Sequence, residues 1–286
     1  MSFLTPRTPT FEAALRDAGA ARPEARLRAT HRLVDPPPGA EARARQALGK
    51  LAADPVGPVR AAAVEALGHL GGEESLPIAR NALEDADAGV RQHAVIAAAR
   101  LGDLDTVRAA LGDGRPEVRF QATGAFVALR PAEALPAIGP RLDDPDAEVR
   151  AAAVEALGES DDPAARDPIA PRLQDPEPSV RWAATLALAA LGDRRATPSL
   201  RAHLSIAPCA LQAAEALGRL GAHEARDDLR TLARRWWISP LVRAAAAGAL
   251  ARLGDPLGER TLRRIARTWR PEGRAYATEL LTELGL

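Results

Sequence analysis

The sequence predicts an all-α fold, a solenoid of about nine short helix pairs, and three observations carry that prediction. The first is composition: 65 of the 286 residues are alanine, while Phe, Tyr and Trp together supply nine. Alanine has the best helix propensity and lets helices approach closely, so this chain suits many short helices in thin layers better than one thick core. The second is self-similarity at a period of about 31 residues. The third is that apolar residues inside each repeat recur on one helical face.

The first elements are an irregular pair over 8–19 and 23–35, which caps the array before the kink at Pro36-Pro37-Pro38. Residues 1–38 are therefore a capping pair and 39–286 the repeat array of one domain, regular over 39–192 and degenerate over 193–286. The regular copies are 58–71, 89–102, 117–130, 148–161 and 179–192, and looser copies follow at 208–221, 241–254 and 272–285. In the frame of the recurring Arg, the preceding position is Val59, Val90, Val118, Val149, Val180, Cys209, Val242 and Gly273. Three places after it stands alanine in every copy, from Ala63 to Ala277. Offsets −1, +3, +7 and +10 share one helical face, so they should form the core stripe. Gly at +11 in six copies predicts a left-handed helix end.

Before each such helix lies a less regular one, with examples at 73–83, 131–142 and 195–204. Pro77, Pro136 and Pro198 sit early in these, where a missing N–H is tolerated. Asp54, Asp85, Asp113, Asp144 and Asp175 mark the turn between the two helices. Three of them precede proline, a pairing that stops a helix and favours a turn.

The pattern L-x-D-P-D-x-x-V-R-x-x-A-x-x-A-L-G-x-L-G resembles the HEAT repeat, in the short form associated with phycobilin lyases, over about residues 40–286. The resemblance implies a right-handed α-solenoid whose second helices line the concave surface. It also implies that the turn aspartates form a ladder with Arg60, Arg91, Arg119, Arg150 and Arg181 of adjacent repeats. Residues repeated in every unit are structural and mark no single site. Function should therefore lie off the frame, at offsets +1, +2, +5 and +9.

Those offsets place Gln92, His93, Ile96, Phe120, Gln121, Glu155, Trp182, Leu186, Leu211 and Gln212 on the expected partner-binding face. Phe120 and Trp182 are its aromatic anchors, with an acidic rim from Glu65, Glu155, Glu159 and Glu215. The expected partner is a protein helix or extended segment with basic and apolar character, and the expected role is a non-catalytic scaffold or adaptor.

Catalysis and cofactors find no support in the residues. The HEAT-like deoxyhypusine hydroxylases use several His-Glu pairs for two metals, whereas this chain offers only His223-Glu224, so no metal or cofactor is expected. The single Cys209 excludes an intrachain disulfide framework, and no leader, lipidation motif or membrane-spanning run is seen, which points to a cytoplasmic protein without a membrane partner. Overall charge is zero, yet residues 50–199 carry 16 basic and 24 acidic groups (net −8), and 226–274 carry 12 Arg and 5 acids (net +7). The basic end could hold an anion or nucleic acid at Arg234, Arg235, Arg260, Arg263, Arg264, Arg267 and Arg270. HEAT-like DNA glycosylases make nucleic-acid binding the first alternative function, and a lyase or chaperone role on a modified protein partner is the second.

Overall fold

The computed structural model describes residues 10–268 and 271–286. It contains eighteen α-helices and, among the described residues, no strand. They fall into two compact units, Met1–Ala153 and Val154–Leu286. The first holds α1 (Phe11–Asp17), α2 (Pro23–Leu33), α3 (Glu41–Leu51), α4 (Gly57–Leu70), α5 (Leu76–Ala82), α6 (Ala88–Arg100), α7 (Leu104–Ala110), α8 (Pro116–Leu129) and α9 (Ala134–Ile138). The boundary falls within α10 (Ala147–Glu159). The second unit continues with α11 (Arg166–Ile169), α12 (Pro178–Ala190), α13 (Thr197–His203), α14 (Ala210–Arg219), α15 (Arg226–Arg234), α16 (Pro240–Arg252), α17 (Pro256–Ala266) and α18 (Pro271–Glu283). Taken two at a time these are nine helix pairs of an α-solenoid.

The frame explains the packing. All eight +3 alanines, Ala63, Ala94, Ala122, Ala153, Ala184, Ala213, Ala246 and Ala277, are 0% exposed, and the frame valines Val59 to Val180 are buried with them. First helices are short and often broken into 3-10 turns, as at Gly139–Asp143 and Ala170–Gln174, where Pro140 and Pro171 remove backbone donors. The six +11 glycines hold φ between +61° and +75°; of the two copies that lack the glycine, Asp161 takes the same region at +54° and Arg130 stays at −142°.

The second helices lie side by side more closely than the frame predicts. A Cβ on Gly68 would stand 2.7 Å from Ala97 Cα, one on Gly158 2.6 Å from Ala187 Cβ, and one on Gly218 2.7 Å from Ala249 Cα. Offset +8 of one second helix thus packs on offset +6 of the next. This contact narrows the expected solvent face: Ala61 and Ala244 at +1, and Ala183 and Ala245 at +2, are buried. The +9 residues His69, Arg100, Ala128, Glu159, Ala190 and Arg219 are exposed, while the +5 residues range from exposed to buried. The outward strip is therefore about half as wide as an isolated helix would offer.

Candidate functional site

The turns between the helices of a pair are closed by Arg–Asp contacts. Arg60 donates from Nε and Nη2 to Asp85 of the next turn at 2.8 and 2.7 Å, and from Nη1 to the Asp54 carbonyl at 2.8 Å. Arg119 does the same with Asp144, at 2.8 and 2.6 Å, and with the Asp113 carbonyl at 2.9 Å. Arg26 of the capping pair reaches Asp54 at 2.5 and 2.9 Å. Each carboxylate also accepts from the amide two residues on, as Val56 N to Asp54 at 2.9 Å. The Arg26 and Arg60 guanidinium groups hold the Asp54 and Asp85 carboxyls below the ordinary aspartate range, against the opposing effect of burial. Burial acts most strongly on Asp144, yet its hydrogen bonds from Arg119 and the Asp146 amide still leave it lowered.

One rung departs from the expected pairing. Arg91 bonds to Glu117, not to Asp113, and Asp113 instead takes a bidentate contact of 2.7 Å from Arg115 in its own turn. Glu117 stands one residue before the frame valine, where its carboxylate reaches Arg91 first. Arg150 and Arg181 donate to the carbonyls of Asp144 and Asp175, at 2.9 and 2.7 Å. The turn after α13 contains no aspartate, so Arg181 meets carbonyl groups and no described carboxylate there.

A second ladder, on the opposite edge of the second unit, was not legible from the frame. Arg166 Nε donates to Leu191 O at 2.8 Å, Arg194 to Gly221 O at 2.7 Å and Arg226 to Leu253 O at 3.1 Å. Arg166 and Arg226 open first helices and Arg194 opens the 3-10 turn before one, and each satisfies a carbonyl at the end of the following second helix, which that helix cannot bond itself.

Of the expected partner-face residues in the first unit, Phe120 is 39% exposed, whereas Gln92, His93, Ile96 and Gln121 are half-buried. Glu65 is not an open acid. His93 Nε2 lies 3.5 Å from it, Arg100 3.9 Å and His69 4.0 Å, and His93 Nδ1 is 2.7 Å from Gly89 O. In the second unit Trp182 is half-buried, stacked on His203 with centroids 4.4 Å apart, because offset +1 faces the next first helix instead of solvent. Leu186 and Leu211 are half-buried and Gln212 is exposed. Glu215 accepts a hydrogen bond from Tyr276 and lies 3.9 Å from Arg219, so it too is answered.

The rim thus reduces to Glu155 and Glu159, one turn apart on α10. Both are exposed and neither has a described cationic partner. The Glu155 carboxyl is pushed above the ordinary glutamate range by the protein crowding it, and then by Glu159.

At the basic end Arg234, Arg264 and Arg267 are exposed, and Arg235 is half-buried. Arg263 pairs with Glu259 at 2.7 Å and Arg260 donates to Pro256 O at 3.1 Å. Arg270 lies outside the described residues. Among the described residues no group of three or more His, Cys, Asp or Glu is placed to hold a metal, and no helix is long and apolar enough to cross a membrane.

The HEAT-repeat family pattern matches residues 8–99, 44–125 and 135–208, more than half of the chain. No curated protein sequence matches significantly. Among solved structures, YibA from Escherichia coli aligns at a TM-score of 0.64 and 20% identity, covering 85% of this chain and 92% of its own. Kap95p, solved bound to RanGDP, aligns at 0.57 and 14% identity, with 96% of this chain and 44% of Kap95p covered. The CpcE–CpcF complex of phycocyanin lyase from Nostoc sp. PCC7120 aligns at 0.44 and 19% identity over 99% of each chain, a score too low to bear on function. At these identities the likeness is one of fold, and with the repeat match it places the chain in the HEAT-repeat family.

Proposed function

We propose that the chain is a non-catalytic scaffold or adaptor that binds protein partners through the outward strips of its second helices. The observation that carries this reading is the pair Glu155 and Glu159. Glu65, Glu117, Glu215 and Glu283 on other second helices are each met by an Arg, His or Tyr, but these two sit side by side on the exposed strip with no described cation of their own. Like charges at this spacing destabilise a helix by a few tenths of a kcal/mol. A basic group on a partner would relieve the repulsion. Phe120 supplies the first unit's exposed aromatic side chain, of the kind that acts as an anchor in interfaces. The partner is a helix or extended segment with basic residues beside an apolar face. Kap95p, itself seen bound to RanGDP, is a precedent for protein binding by the fold alone.

The test separates a binding role from a structural one. Glu155→Gln with Glu159→Gln should leave the isolated protein as stable as before or slightly more so, by about 0.3 kcal/mol. The same variant, and Phe120→Ala, should lose the partner recovered by affinity capture and mass spectrometry with the unaltered protein. Capture of the same partner at undiminished yield by the triple variant would refute the assignment.

A further inference from the structure

The turn between α15 and α16 carries two large apolar side chains that no described residue covers: Trp236 is 75% and Trp237 68% exposed. Their rings meet edge to face with centroids 6.0 Å apart. The turn is held at both ends. Arg235 N donates to Leu232 O at 3.2 Å, and the Ser239 hydroxyl accepts from Leu241 N at 3.3 Å. Pro240 lies against Gly273, where a Cβ would be 2.5 Å from the proline ring. The indoles are thus presented from a fixed base and have no frame reason to be there, since the place of Trp237 is Asp in all five regular repeats.

The neighbouring turn adds Ile206, 45% exposed, and the roots of the two turns share a hollow lined by Leu204, Ser205, Leu232 and Arg235. Arginines stand at the ends of α15 and α17. Arg234, and Arg264 and Arg267 at the end of α17, are exposed with no described carboxylate partner. They lie in the segment 226–274 that holds 12 Arg against 5 acids, net +7. Arginines here also complement helix C-termini, but that role gives no reason for adjacent exposed tryptophans.

We propose that this edge docks on an anionic lipid bilayer surface, with Trp236 and Trp237 at the boundary of headgroups and acyl chains and the arginines on the lipid phosphates. Indoles favour that boundary because one part of the ring is apolar and the N–H remains wet, and basic residues beside them are drawn to anionic leaflets. The geometry favours a bilayer over the other occupants. The rings stand clear of the protein, and the hollow at their roots is lined mostly by polar side chains, Arg201, Ser205, Asp228, Thr231 and Arg235 beside Leu204 and Leu232, so it is no apolar groove for a peptide's side chains, whereas a lipid surface deforms around a protruding tip. Rings set at 90° offer no pair of parallel platforms for successive bases, and aliphatic Ile206 adds nothing to stacking. This is contact with a surface and not a span. The Phe120 and Glu155 faces take no part in it.

Vesicle flotation tests it, using phosphatidylcholine alone or with about one third phosphatidylglycerol. The protein should float with the anionic vesicles at low salt, lose that binding as salt rises, and show a blue-shifted tryptophan emission on binding. Trp236→Ala with Trp237→Ala should weaken binding at least ~10-fold, and Arg234→Gln with Arg235→Gln should weaken it for anionic vesicles. Both tryptophans are exposed, so an unchanged thermal melt is expected of the double variant. Quenching by brominated lipid in the Trp182→Phe, Trp269→Phe protein, whose only tryptophans are the two of the turn, gives a readout independent of altering them. Failure of the unaltered protein to float with anionic vesicles overturns the proposal, as does equal flotation of the double tryptophan variant. Equal binding to neutral vesicles overturns the anionic assignment. Binding to a single-stranded oligonucleotide, or self-association abolished by the tryptophan variant, without vesicle binding in either case, overturns it in favour of nucleic acid or a second copy.

Discussion

Between α3 and α4 the chain turns through Asp54, whose carboxylate receives Arg26 from one side and the Val56 amide from its own turn, and whose carbonyl receives Arg60. Between α15 and α16 the same kind of turn contains no aspartate, and what projects from it are Trp236 and Trp237. The first turn consumes its polar groups internally and so has none to offer a partner. The second leaves its side chains unmet. The contrast shows one way a repeat protein frees side chains: a copy that has lost the repeating contacts leaves its turn residues released from the work of stacking.

The comparison breaks most sharply at Asp144. It is 5% exposed and its partner Arg119 7%. Asp144→Ala should strand a buried guanidinium and cost about 3–5 kcal/mol, measured by urea denaturation. A loss below 1 kcal/mol would mean that the ladder does not hold the regular turns together. Next in size is overpacking. Ala122 is 0% exposed, and Ala122→Leu should cost about 1–3 kcal/mol because the adjacent helices must part. An unchanged melting temperature would show that the +3 alanines are not under close packing.

The frame of valines, alanines and leucines was legible because it repeats, and apolar residues recurring at helical spacing select one face of a helix. The left-handed ends at the +11 glycines were legible for the same reason. What could not be read came from contacts between repeats. Offsets +1 and +2 point to solvent on an isolated helix, but the close approach of Gly68 to Ala97 turns them toward neighbours, and so Trp182 packs on His203. The family resemblance implies a rung between Arg91 and Asp113, yet Glu117 and Arg115 are better placed for each. Glu65 and Glu215 counted as acids in sequence, while His93 and Arg100 beside the first and Tyr276 beside the second come from other helices. The exposure of Trp236 and Trp237 was equally hidden, since a tryptophan in a degenerate copy can as well fold inward.

The smallest expected effect sharpens the boundary between the two kinds of turn. Arg181 is the last arginine of the regular frame, and it donates from Nη1 to the carbonyls of Asp175 and Pro176 at 2.7 and 2.8 Å. Ahead of it the turn runs Leu204-Ser205-Ile206-Ala207-Pro208, with no carboxylate to receive its remaining N–H groups. Arg181→Ala removes hydrogen bonds to carbonyls that water can in part replace, and it leaves no buried charge behind. The cost should be about 1 kcal/mol. Arg119→Ala, which strands buried Asp144, should approach the loss expected for Asp144→Ala. If the two arginine variants were equally destabilised in the same urea titration, the ladder would continue past Arg181 through a partner other than aspartate. The division between closed and open turns would then lie further along the chain.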